Sequence, residues 1–210
     1  MSIITSIKPQ KQKSRVNIYL DGKFGFGIDL ENFVKFGLKV EQELSEERII
    51  EITKKAEFQK VFDRLLLFAS LRPRSEKEIN DWLKRKKVDE SFTNTLSEKL
   101  RKLELLDDEK FAKWWVDQRI QFKFKSKREL VSELKIKGIE NNIVNQILQE
   151  SGLDEVGSAK KLLDKNIYKW AKFPKKIAHQ KACMFLARKG FSWDIIRKAV
   201  DEARHLMTEN

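Results

Sequence analysis

The spacing of apolar residues changes period once along the chain. Residues 15–28 read RVNIYLDGKFGFGI, where Val16, Ile18 and Leu20 alternate with polar neighbours, the two-residue period of a half-buried strand. Asp21-Gly22 supplies the positive-φ pair of a tight turn, so the segment predicts a β-hairpin. Ile3–Ile7 can add a third strand, and the acidic segment from Ser45 to Ile52 begins a helix. From residue 53 the apolar positions fall at helical spacing, as in Phe58, Phe62, Leu65, Leu66 and Ala69, then Ile79, Trp82 and Leu83, then Phe111, Trp114 and Trp115.

The helical part is self-similar. Ser75-x-x-Glu78-Ile79-x-x-x-Leu83-x-x-Lys86-Lys87-Val88 is echoed 51 residues later by Ser126-x-x-Glu129-Leu130-x-x-x-Leu134-x-x-Lys137-Gly138-Ile139. A further 52 residues on, Leu186, Lys189, Gly190 and Phe191 land on Leu134, Lys137, Gly138 and Ile139. Ser75 and Ser126 suit helix N-caps, with Glu78 and Glu129 placed to close capping boxes. Gly138 and Gly190 suit the left-handed residue that ends a helix. A three-helix unit of this length buries too little to stand alone, so neighbouring units must share apolar faces. The expected fold is mainly α: three tandem three-helix repeats forming an elongated curved array, with an N-terminal β-hairpin extension. The expected boundaries are 1–52 for the extension and lead helix, then 53–106, 107–152 and 153–210 for the repeats.

Composition narrows the function classes. In 210 residues there are only 8 Gly and 3 Pro, which leaves little room for long loops. The single cysteine, Cys183, excludes a disulfide framework and fits a reducing compartment, with the cytoplasm as the default. The N-terminus lacks the layout of a signal peptide and no apolar run approaches the ~20 residues of a membrane span, so a soluble, unexported protein with no membrane partner is expected. Net charge is +12. Residues 1–52 carry 8 basic and 8 acidic side chains, so the whole excess belongs to the helical part, where a polyanionic partner is expected.

Catalytic chemistry finds little footing. Gly25-Phe26-Gly27 lacks the third glycine and the helix start of a pyrophosphate loop. His179 and His205 have no ligand-spaced partners, and Cys183 has no evident base. Asp107-Asp108-Glu109 fits the favourable end of a helix dipole more simply than a metal site. No catalytic, cofactor or metal residues are assigned.

The basic residues are the binding candidates. Arg119, Lys123, Lys125, Lys127, Arg128, Lys135 and Lys137 form the densest cluster, opposed only by Glu129 and Glu133, with Phe122 and Phe124 between them. The alternative is an elbow whose phenylalanines are core and whose lysines are solvated. Arg72 and Arg74 precede a helix start, where the dipole disfavours them, and are expected to meet a carboxylate such as Asp107 or Asp108, or else a partner. Lys84, Arg85, Lys86 and Lys87 close a helix, where cations are favoured without any ligand. Lys172, Lys175 and Lys176 surround Pro174 in the third unit. The five tryptophans are expected mainly as packing anchors, with one of Trp114 and Trp115 covering a repeat junction.

Leu71-Arg72-Pro73-Arg74-Ser75-x-x-Glu78, then Leu103-x-Leu105-Leu106-Asp107-Asp108-Glu109-x-Phe111-Ala112 with Arg119, then Glu133-Leu134-x-x-Lys137-Gly138-Ile139 resemble the successive signatures of the RecX family. Asn17–Gly22 and Val34–Leu38 are similar to the N-terminal extension of many members, so the resemblance spans nearly the whole chain. The chain departs from the pattern at Lys86-Lys87, where Lys-Gly is common, and at Lys125-Ser126, where a glycine usually precedes the helix. A monomer without a cofactor is expected, and the resemblance implies a regulator. Its partners would be a RecA recombinase filament and single-stranded or double-stranded DNA, and its effect to restrain ATP hydrolysis, strand exchange and co-protease activity. The alternative is a general basic nucleic-acid-binding helical scaffold without a dedicated recombinase partner.

Overall fold

The computed structural model describes residues 1–11, 14–170 and 172–202. Strands β1 (Ser2–Pro9), β2 (Arg15–Leu20), β3 (Lys23–Asp29) and β4 (Glu43–Leu44) form an antiparallel sheet in the order β3-β2-β1-β4. The β2–β3 turn places Asp21 at φ 49° and Gly22 at φ 78°, the doubly left-handed geometry that the Asp-Gly pair predicts. Alternation then buries Val16, Ile18, Phe26 and Ile28 on one face, joined by Ile4. A short helix that the apolar spacing did not indicate, α1 (Leu30–Phe36), is started by Asp29, whose side chain accepts from the Asn32 amide, and ends at Gly37.

Helix α2 (Glu46–Ser70) is N-capped by Ser45 and runs 25 residues, roughly 37 Å, without a break at residue 53. Its first half closes the sheet core through Ile52 and Ala56. Further along, Phe58 meets Phe92 edge-on at 5.4 Å, and the Lys99 ammonium lies over the Phe58 and Phe62 rings. Phe92 and Lys99 belong to α4 (Glu90–Lys102), which follows α3 (Glu76–Arg85). Two compact units result: Met1–Arg72 with Leu83–Leu100, and Pro73–Trp82 with the described residues from Arg101 onward.

The second unit contains two helix triplets. Helices α5 (Asp108–Lys123), α6 (Lys127–Ile136) and α7 (Asn141–Glu150) enclose Phe111, Val116, Leu130, Leu134, Ile139 and Val144. Helices α8 (Glu155–Asp164), α9 (Lys175–Arg188) and α10 (Trp193–Glu202) enclose Leu163, Leu186, Phe191, Ile196 and Val200. Leu134 and Ile139 thus hold the same places as Leu186 and Phe191, as the repeat spacing predicts. Gly138 and Gly190 sit at φ 84° and 80° before the second residue of each pair.

The second helices begin and end against their neighbours in one recurring arrangement. The Glu76 amide at the start of α3 donates to Asp108 at the start of α5 (2.8 Å), and the Lys127 amide at the start of α6 donates to Glu155 at the start of α8 (2.9 Å). A Cβ on Gly138 would stand 2.8 Å from the Lys77 Cβ, and one on Gly190 would stand 3.0 Å from Ser126 Oγ. Glycine is therefore required at both corners by backbone handedness and by the close approach of α3 to Gly138 and of the start of α6 to Gly190. Lys77 Nζ donates to the Ile136 carbonyl across the first junction, and Ser126 Oγ to the Lys189 carbonyl across the next. Lys87, the counterpart of these glycines, takes φ 52° on an exposed corner, a strain of order 1 kcal/mol.

A candidate basic interface and the ion pairs beneath it

Ser75 and Ser126 are fully buried caps, accepting from the Glu78 and Glu129 amides at 3.2 Å. The two glutamates are drawn into ion pairs: Glu78 with Lys137 at 2.6 Å and Glu129 with Lys125 at 3.2 Å. The carboxylates expected to reach back as capping boxes are thus engaged by lysine ammonium groups, which add full ion-pair attraction to the hydrogen bond.

Helices α5 and α6 bring these pairs together around Trp115. Its indole N–H donates to Glu133 at 2.8 Å, and the same oxygen accepts from Arg119 Nε at 2.7 Å. The Arg119 guanidinium lies 4.0 Å from the Trp115 ring centroid and the Lys137 ammonium 4.9 Å. Lys125 reaches Glu133 at 3.3 Å. Burial alone would raise the Glu133 carboxyl, but hydrogen bonds from Arg119 and Trp115 and the charges of Arg119 and Lys125 hold it below the usual carboxylate range. Trp115 is therefore the tryptophan at a repeat junction, since Lys137 on its face pairs with Glu78 of α3.

The dense basic segment divides accordingly. Arg119, Lys125 and Lys137 are half-buried in this network. Lys123, Lys127, Arg128 and Lys135 are exposed and make no ion pair with any of the described residues. Arg128 and Lys135 are seven apart on α6 and share a face. Phe122 is 62% exposed, whereas Phe124 is half-buried in the left-handed corner that ends α5. The ammonium groups of Lys161 on α8 and of Lys165 just after it lie 5.5 and 4.5 Å from the Phe124 ring, so two cations absent from the sequence candidates join this corner.

The other candidates fall in different settings. Lys84, Arg85, Lys86 and Lys87 are exposed at the C-terminal end of α3. Arg72 and Arg74 are half-buried, and the Arg74 backbone bridges Leu106. Asp107 accepts from the Glu109 and Lys110 amides, capping α5. Asp108 takes the Glu76 amide; burial, with the nearby Glu76 and Asp107 charges, pushes its carboxyl up against the effect of that amide and of Arg101. Lys172, Lys175 and Lys176 are exposed around the first turn of α9, where the helix dipole opposes them and Pro174 offers no side-chain cap.

One expectation is corrected. Cys183 does have a base nearby: His179, one turn back on α9, places Nδ1 3.8 Å from the sulfur, a contact set by i,i+4 spacing. Burial, with the charge of Asp201, pushes the thiol up, so this is not an activated thiolate. His205 lies outside the described residues. Among the described residues no helix is long and apolar enough to cross a membrane, and no cluster of three metal-ligating side chains occurs.

Comparison with known proteins agrees with this architecture. Residues 2–45 match the family profile described as the regulatory protein RecX N-terminal domain, residues 107–148 the second RecX three-helix domain and residues 154–200 the third. A regulatory protein RecX of Bacillus licheniformis is 38% identical over 204 residues, covering 96% of this chain and 78% of its own length. That of Bacillus subtilis is 36% identical over 207 residues, covering 98% and 78%. A crystal structure of regulatory protein RecX superposes with a TM-score of 0.70 at 30% identity, over 96% of this chain and all of the other. One from Lactobacillus salivarius gives 0.60 at 26% identity, over 70% of this chain and 96% of the other. With identity sustained over nearly the whole chain and the three-helix domains falling on the two triplets of the second unit, the chain belongs to the RecX family of regulatory proteins.

Proposed function

We propose that this chain binds filaments of a RecA-type recombinase on single-stranded DNA and restrains their ATP hydrolysis, strand exchange and co-protease activity without chemistry of its own. It acts as a monomer in the cytoplasm, through its four-part layout of extension and three repeats at 1–52, 53–106, 107–152 and 153–210. The observation that carries the reading is the division of the cations from Arg119 to Lys137, on α5, α6 and the residues that flank α6. Arg119, Lys125 and Lys137 are held by carboxylates, whereas Lys123, Lys127, Arg128 and Lys135 stand exposed without ion pairs among the described residues. A DNA-loaded filament supplies the counter-charge, and its phosphates favour such groups through counterion release. The remaining exposed candidates, Lys84–Lys87 and Lys172, Lys175 and Lys176, serve the same partner, and Arg72 and Arg74 support the start of α3 beside them.

The test is inhibition of filament ATP hydrolysis by the full chain, with Lys123, Lys127, Arg128 and Lys135 all changed to glutamate in the variant. Lys125 is left intact because its reversal would break the Glu133 network. Wild type is expected to inhibit at less than one molecule per recombinase, and the variant to lose most of that inhibition with an unchanged far-ultraviolet spectrum. Undiminished inhibition by the variant removes this surface from the interface. Wild type that binds bare single strands as well as filaments, and inhibits only by competing for DNA, supports a general nucleic-acid scaffold instead.

A further inference from the structure

We propose that the hollow between the Ile167–Lys169 turn and α9 is a single-nucleotide site for single-stranded nucleic acid. It is an open hollow of about 360 Å³, near the lower end of the roughly 300–1,000 Å³ of small-ligand pockets. Among the described residues four cations line it, Lys169, Lys172, Lys181 and Arg188, together with Trp170, Phe173 and Met184, and no carboxylate does. Lys172 and Lys181 both reach the Phe173 ring, 5.5 and 4.6 Å from its centroid, so two cations share one aromatic side chain at the hollow. Cation–π attraction at an exposed site is weak, and an anion in the hollow would add a counter-charge for the cations that line it.

The apolar lining selects the class of anion. Lys181, Met184 and Arg188 recur three and four residues apart, so one face of α9 presents cation, thioether, cation, and all three are exposed. Phe173 is half-buried, and Trp170 is anchored behind by Phe185 at 5.4 Å. A nucleotide uses both kinds of surface, its phosphate on the cations and its base on the aromatic and thioether groups. The inference rests on the reading that the partner carries single-stranded DNA, and it is tested without recombinase so that the two can fail separately.

The experiment is fluorescence anisotropy of a labelled oligothymidylate of about ten nucleotides with the full chain, Lys181→Gln with Arg188→Gln, and Phe173→Leu. An abasic oligonucleotide of equal phosphate number and polyglutamate serve as competitors. The double variant is expected to bind about tenfold more weakly, with a salt slope flatter by about 0.7 for each phosphate it no longer neutralises. Phe173→Leu is expected to abolish the preference for oligothymidylate over the abasic strand. Equal binding by wild type and the double variant overturns the proposal, whatever becomes of Phe173→Leu. So does a wild type that does not distinguish the base-bearing from the abasic strand, or that polyglutamate displaces as readily as oligothymidylate at equal charge.

Discussion

Gly138→Ala tests whether the close approach of α3, and not backbone handedness alone, demands glycine at the helix corner. Gly138 has φ 84°, and a methyl there would stand 2.8 Å from the Lys77 Cβ and 3.1 Å from its Cδ. Carbon atoms prefer about 3.5–4.0 Å, and the Lys77 Cβ cannot swing away because it is fixed to the α3 backbone. Gly152 provides the control: its φ is 58°, and nothing lies within 4 Å of where its Cβ would be. Alanine at Gly152 should therefore suffer only the left-handed penalty of roughly 1–2 kcal/mol. Alanine at Gly138 should suffer that plus about 1–2 kcal/mol of overpacking. Urea unfolding followed by circular dichroism, at unchanged m, should rank the two variants in that order. Adding Lys77→Gly, which removes the opposing carbon, should return the overpacking part to Gly138→Ala. Equal destabilisation at the two glycines, or no rescue by Lys77→Gly, would refute the close-approach argument.

Glu133→Gln should destabilise the chain by about 1–2 kcal/mol near neutral pH, because Arg119 and Lys125 are left partly desolvated beside one another. The folded Glu133 carboxyl sits below its unfolded value, so its contribution is complete above the unfolded value and fades as pH falls through the folded one; the variant should lose that part of the acid-side decline in urea titrations. Asp108 has the opposite sign: its folded carboxyl is raised, so ionisation weakens the fold as pH rises through that value. Asp108→Asn, which keeps an oxygen for the Glu76 amide, should then be neutral or slightly stabilising at pH 7, whereas Asp108→Ala should cost about 1 kcal/mol in thermal unfolding. Trp115→Phe should keep the packing against Phe111 but lose the bond to Glu133, costing about 1 kcal/mol and mobilising Arg119 in side-chain NMR.

Much of the fold is legible in the sequence because local chemistry and global packing agree. Asp21-Gly22 encodes its turn, Ser75 and Ser126 their caps, and the apolar period its helices, each through interactions within a few residues. Helix α1 escapes the periodic signal because its seven residues are too few to establish a period, although Asp29 before it and Gly37 after it are start and stop signals. The unbroken run of α2 through residue 53 escapes it because its first half meets strands and its second half meets phenylalanines, so its apolar stripe follows two different neighbours. The basic cluster is visible in sequence as a count of charges, but not as two populations. Which lysines are held depends on Glu78 arriving from a helix 59 residues away and on Trp115 offering its face, neither of which is a local signal. Lys161 and Lys165 stay outside the sequence candidates for the same reason, since only the fold brings them to Phe124.

The recurring junction gives a physical reason for the family's Lys-Gly pair and for this chain's departure from it. At Lys137-Gly138 the lysine pairs with the neighbouring helix through Glu78, and the glycine lets that helix come within a Cβ–Cβ clash distance. At Lys189-Gly190 the lysine's carbonyl takes the Ser126 hydroxyl, and the glycine again admits the start of the neighbouring second helix. One dipeptide thus ends a helix and seats it on the unit before, so the pattern repeats wherever such a unit precedes. At Lys86-Lys87 the corner is exposed, so handedness is the sole demand, and a lysine meets it at modest strain while adding a charge to the surface. The substitution that breaks the motif therefore falls where the corner is exposed, and what it leaves there is a solvent-facing cation.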